Sequence, residues 1–115
     1  MLPKANRLTK KKDFERVFKK GKGLKEEFLV IKALDNNLSV SRFGFIVSKK
    51  ISKKATLRNK IKRRLRELAW TRLGQIRQGI DVVVIAGPGI GEKNFGEIEK
   101  IINKLLEKIG ILKSS

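Results

Sequence analysis

The stretch Ala55-Thr-Leu-Arg-Asn-Lys-Ile-Lys-Arg-Arg-Leu-Arg-Glu67 places six basic residues between Arg58 and Arg66. Like charges this close repel one another and destabilise a compact chain. The segment therefore needs either full solvation or a polyanion laid against it. Its apolar residues decide its structure. Leu57, Ile61, Leu65 and Leu68 recur at i, i+4, i+8 and i+11, the stripe of an amphipathic helix. At 100° per residue these four fall within ~80° of arc. Arg58, Lys62, Arg66, Asn59 and Arg63 occupy the adjoining ~140°, so the cations share one continuous face. The pattern predicts a helix from Ala55 to Arg77 that stops near Gly79.

Strand-like runs flank this helix. Phe28-Leu-Val-Ile-Lys-Ala-Leu34 and Val40-Ser-Arg-Phe-Gly-Phe-Ile-Val-Ser48 precede it, rich in β-branched and aromatic residues. Asp35-Asn-Asn37 supplies the turn between them, and Gly44 signals a bulge or a close approach. A short extra strand near Gly23 to Lys25 fits as well. Asp81-Val-Val-Val-Ile-Ala86, the most hydrophobic run, reads as a central strand.

Helices close both ends. Thr9 is placed to cap a helix over Lys10 to Lys20, with Gly21 as its left-handed terminator. Phe14, Val17 and Phe18 stand at i, i+3 and i+4, an aromatic face that is either core or the lining of a groove. Asn94 and Glu97 match a capping box, and Ile98, Ile101, Ile102, Leu105 and Ile109 form an apolar face ended by Gly110. Residues 1–8 read as a basic, mobile lead-in. The expectation is one domain over residues 1–115: helix, two or three strands, basic helix, strand, helix.

Composition narrows the function. Among 115 residues, 29 Lys and Arg stand against 11 Asp and Glu, a formal charge of +18. Solubility needs a net charge of only ~2–8 in magnitude, so the excess points to phosphates. No apolar run approaches the ~20 residues of a membrane span. No signal-peptide core follows the N-terminus, so a cytoplasmic protein is expected, without a membrane partner. The chain has no Cys, His or Tyr, which excludes thiolate nucleophiles, usual zinc sites and imidazole acid–base chemistry. An autonomous enzyme is not expected.

One loop invites a different reading. Ala86-Gly-Pro-Gly-Ile-Gly91 lies between strand and helix, as nucleotide-phosphate loops do. Its spacing is G-x-G-x-G rather than G-x-G-x-x-G, and no Walker Lys-Ser/Thr follows. It reads as a βα turn. The basic helix is the stronger signal, because from Lys49 to Arg66 ten of eighteen residues are basic and none is acidic. A helix lying between two strands is unlike a helix-turn-helix reader of DNA. Exposed aromatics beside a basic helix suit RNA. Residue patterns reach as far as an RNA-binding α/β domain.

Phe43-Gly-Phe-Ile-Val-Ser-Lys-Lys-Ile51 together with Ala55–Glu67 resembles the signature of the bacterial ribonuclease P protein component. Arg7-Leu8, Asp13-Phe-Glu-Arg-Val-Phe18 and Gly21 are similar to that family's first helix, and Asp81–Ala86 with the last helix to its C-terminal part. The resemblance implies an α/β (α+β) sandwich with a left-handed βαβ crossover through the basic helix. It implies an accessory subunit of an endoribonuclease. The partner is the catalytic RNA, which with Mg²⁺ removes the 5′ leader of precursor tRNA. No obligate protein partner, catalytic residue or metal ligand is expected in this chain. Arg58, Asn59 and Lys60 lie at the family's R-N-R motif, and Lys62, Arg63 and Arg66 continue that RNA-binding face. Phe14 and Phe18, with Ile31, Lys49 and Lys50, fall at positions implied to meet the leader.

Three residues depart from the family pattern. Lys60 stands for a second Arg, which exchanges a planar bidentate donor for a point charge. Ile31 stands where relatives often place an aromatic, and Gly87 where a basic residue is frequent. Two rival readings remain at this stage: a structural ribosomal-RNA-binding or RNA-chaperone-like protein, and a small nucleotide-dependent enzyme using the glycine loop.

Overall fold

The structure, a computed structural model, describes residues 2–113. Its helices are α1 (Lys11–Lys20), α2 (Ala55–Arg72) and α3 (Phe95–Ile109), and its strands are β1 (Lys22–Glu26), β2 (Leu29–Asp35), β3 (Arg42–Val47) and β4 (Ile80–Ala86). The strands form one sheet in the order β1-β2-β4-β3. β1–β2 and β2–β4 are antiparallel, while β3 and β4 are parallel neighbours joined through α2. The most apolar run is thus central, as its composition requires.

Side chains alternate across the sheet, and the register fixes which face each one takes. Ile31, Val84 and Phe45 share one row, as do Ala33, Val82 and Phe43. This face packs against α2 and α3, and with Ile61, Leu65, Leu68, Ile98, Ile102 and Leu105 it forms the main core. The opposite face carries Val83, which packs with Val17 of α1 and with Leu8 in a smaller cluster. α1 covers only part of that face. Val30, Ile46 and Ile85 stay half-buried.

The Leu57, Ile61, Leu65, Leu68 stripe faces the core as its spacing predicts, with Ala69 added. The helix ends five residues before the expected Arg77, passing at Leu73–Gln75 into a 3-10 turn. Asn94 and Glu97 form the reciprocal capping box, and Gly110 closes α3 at φ 79°. The extra strand is present as β1. It contains one apolar residue, Leu24, and is held by pairing with β2 and by Glu26, which binds Lys104 at 2.8 Å and Lys108 at 3.4 Å.

Three local expectations change. Lys10, not Thr9, is the N-cap of α1, and no side chain caps that end. Gly21 is extended (φ −76°, ψ 156°) rather than left-handed. Its small size serves close approach instead, since a Cβ there would lie 2.5 Å from the Val17 carbonyl oxygen and 2.9 Å from that of Ala33. Residues 2–8 are not a bare lead-in. Leu2 and Leu8 are buried, and Arg7 bridges in parallel to Phe43 on the β3 edge.

Candidate nucleic-acid interface

The sequence-predicted residues separate onto two surfaces. The first is the outward face of α2. With the apolar stripe locked on the core, Asn59, Lys60 and Arg63 are exposed, and Lys62 and Arg66 are half-buried along its flank. Arg58 differs. Its Nη1 donates a 2.9 Å hydrogen bond to the Ser52 carbonyl oxygen, bracing the loop that enters the helix. That loop carries Lys49, Lys50, Lys53 and Lys54, all exposed. The Oγ atoms of Ser48 and Ser52 accept from the backbone N–H of Lys50 and Lys54, 3.1 Å each, which fixes the turns that present these cations.

The second surface is the part of the sheet that α1 leaves open. Lys25, Val30, Ile85 and Ile46 lie in one row across all four strands. Phe14 packs its ring against Gly44, where a Cβ would sit 2.5 Å from two ring carbons. Phe18 is 37% exposed, and Lys32 Nζ lies 5.5 Å from its ring centroid while donating to its carbonyl oxygen at 3.2 Å. Val30, Ile46 and Ile85 thus form a half-buried apolar patch, with Phe14, Phe18 and the lysines Lys25 and Lys32 on the same face of the sheet. Lys49 and Lys50 follow β3 at the end of the sheet where this row lies.

Ile31 is not part of this surface. It is 2% exposed and points into the main core beside Phe43, Leu65 and Val84. The reason is the two-residue period of a strand, which puts Val30 and Lys32 on the α1 side and Ile31 on the other. In the run Phe28–Leu34 the lone Lys32 was the available sign of which face meets water.

A buried ionic network, unforeseen from the sequence, holds α1 in place. Asp81 is fully buried and accepts from Arg42 Nε (2.8 Å) and Nη2 (2.7 Å), Asn36 Nδ2 (2.8 Å) and Arg16 Nη2 (3.1 Å). Arg42 also reaches Asp13 at 3.3 Å. Burial pushes the Asp81 carboxyl up, but hydrogen bonds from Arg42 and Asn36, the Arg42 charge and Arg16 outweigh it and leave the group below its ordinary value. Two residues of α1, Asp13 and Arg16, are thereby tied to the sheet, which sets where Phe14 and Phe18 stand. An acid opening the most apolar strand was the visible cue.

The glycine loop lacks the geometry of a phosphate cradle. The Gly87 N–H donates to the Phe28 carbonyl at 2.7 Å, and Ile90 is buried in the core. The N-terminus of α3 is occupied by its own capping box. Among the described residues, no three acidic side chains are grouped so as to hold a metal ion. No helix among them is long and apolar enough to cross a membrane.

Comparison with known proteins agrees with the fold. The family model for Ribonuclease P matches residues 2–110. The ribonuclease P protein component of Syntrophomonas wolfei is 40% identical, over 96% of this chain and 92% of its own length. That of a Pseudanabaena species is 36% identical, with 97% of each chain covered. The solved RNase P protein of Staphylococcus aureus superposes with a TM-score of 0.87 at 32% identity, covering 96% of this chain and 100% of that one. That of Thermotoga maritima gives 0.80 at 36% identity, covering 89% and 96%. The chain therefore belongs to the ribonuclease P protein family, the protein subunits of a tRNA-processing ribonucleoprotein whose RNA carries the catalysis.

Proposed function

We propose that the two surfaces serve two RNAs. The α2 face, through Asn59, Lys60, Lys62, Arg63 and Arg66 with Arg58 bracing its entry, grips phosphates of the catalytic RNA. The groove of Phe14, Phe18, Val30, Lys32, Ile46 and Ile85 takes the single-stranded 5′ leader of precursor tRNA, with Lys49 and Lys50 meeting its phosphates. Ile31 contributes only as core beneath that patch. The observation that carries this reading is the division itself. A cationic helix face lies on one side of the sheet, and an apolar patch with aromatics and lysines on the other. Phosphate contacts supply affinity, and aromatic faces suit unpaired bases.

In this scheme the chain raises the effective concentration of the leader beside the RNA's active site, which is positioning rather than bond making. Mg²⁺ would supply the metal-assisted hydrolysis, held mainly by the RNA and substrate. The process belongs to the cytoplasm. Recovery of RNA bound to the protein in cells tests the partner. Enrichment of ribonuclease P RNA is expected, whereas ribosomal RNA alone would favour a structural or chaperone-like role.

A further inference from the structure

The chain contains a single tryptophan and no tyrosine. That tryptophan, Trp70, stands in the last turn of α2 and is 42% exposed. Its position follows from helix geometry. Trp70 comes 4 residues after Arg66, 7 after Arg63 and 11 after Asn59, so all four fall within ~40° of one line along the helix. The neighbours Leu68 and Ala69 are turned into the core. The largest aromatic in the protein therefore sits in the middle of the outward face, directly continuing the cationic stripe.

The two ends of this face differ chemically. The cations of the stripe lie between Arg58 and Arg66, and the exposed residues of α2 beyond them are Glu67, Trp70 and Thr71, with Arg72 half-buried on the side toward the core. The C-terminal end of a helix carries the negative pole of its dipole, which opposes phosphate there. An exposed indole at that place offers a flat π-surface, and Arg66 stands one turn, ~6 Å along the axis, before it. Arg and an aromatic side by side match a nucleotide whose phosphate is gripped and whose base is stacked. The groove for the leader opens on the opposite side of the sheet, so it cannot share its occupant with Trp70.

We propose that Trp70 is a stacking platform for an unpaired base of the catalytic RNA, extending the phosphate-binding stripe of α2 with a base contact. This rests on the assignment of α2 to the catalytic RNA, and the experiment separates the two ideas. Because Trp70 is the sole tryptophan, its fluorescence reports on this position alone. Titration of the full chain with the catalytic RNA should quench that emission, whereas a single-stranded leader oligonucleotide should not. Trp70→Ala should weaken RNA binding by roughly five- to a hundredfold. Trp70→Phe, which keeps a ring, should restore most of that loss. The salt dependence of binding should remain that of the parent, because no phosphate contact is removed. Unquenched emission on tight RNA binding, or a Trp70→Ala affinity equal to the parent's, overturns the stacking platform and leaves the phosphate stripe standing. Failure of the parent chain to bind the catalytic RNA overturns both.

Discussion

The carboxylate of Asp81, fully buried at the start of β4, is embraced by Arg42, whose Nε and Nη2 donate to its two oxygens at 2.8 and 2.7 Å. Removing one partner of a buried pair leaves the other charge uncompensated, at a cost of ~3–5 kcal/mol. Asp81→Asn should therefore destabilise the fold by about 3 kcal/mol at neutral pH. The folded carboxyl titrates below its ordinary value, so its stabilisation is present above pH ~4 and lost as pH falls through the lower folded value. Urea unfolding at pH 7 and at acid pH checks the sign. The gap between parent and variant should narrow on acidification, and a gap independent of pH would contradict an ionised Asp81.

Gly44 is where Phe14 meets the sheet. A methyl group there would overlap the ring, so Gly44→Ala should cost ~1–3 kcal/mol by overpacking. Trimming the ring in Phe14→Ala should relieve the overlap. Denaturation of both single variants and the double variant gives the coupling. Strictly additive losses would mean that the two residues do not press on one another.

Arg63 is exposed on α2 and makes no contact that braces the loop, unlike Arg58. Arg63→Ala should weaken binding to the catalytic RNA and lower the slope of log affinity against log salt by about one unit. Stability should change by less than ~0.5 kcal/mol, as for other surface substitutions. An unchanged salt slope would argue against phosphate contact at this position.

Phe18 discriminates groove from core. Phe18→Ala should raise KM for a precursor with a long leader by roughly fivefold or more, the equivalent of one lost base stack. A substrate trimmed to a minimal leader should be affected much less. Equal effects on both substrates would reduce Phe18 to a packing residue.

How far the residues disclose this arrangement depends on how sharply they are patterned. α2 is legible because Leu57, Ile61, Leu65 and Leu68 repeat at helical spacing among residues that are almost all charged. The start of α3 is legible because Asn94 and Glu97 are the two halves of one cap. The face of Ile31 is only faintly marked, because Phe28–Leu34 is nearly all apolar and Lys32 is its one polar cue; pairing with β4 sets the direction. Gly44 signals a close approach, but its partner Phe14 is thirty residues away; Gly21 lies against both the nearby Val17 and the more distant Ala33. The Asp81 network joins residues 13, 16, 36, 42 and 81, so it exists only once the chain has folded.

The role of this chain is tested most directly by reconstitution with the catalytic RNA at low Mg²⁺, measuring cleavage of a precursor tRNA with and without the protein. The account predicts that the protein rescues 5′-leader removal under conditions where the RNA alone is nearly inactive, with the Arg63→Ala and Phe18→Ala variants rescuing less. Cleavage that is the same with and without the protein at every Mg²⁺ concentration would contradict it.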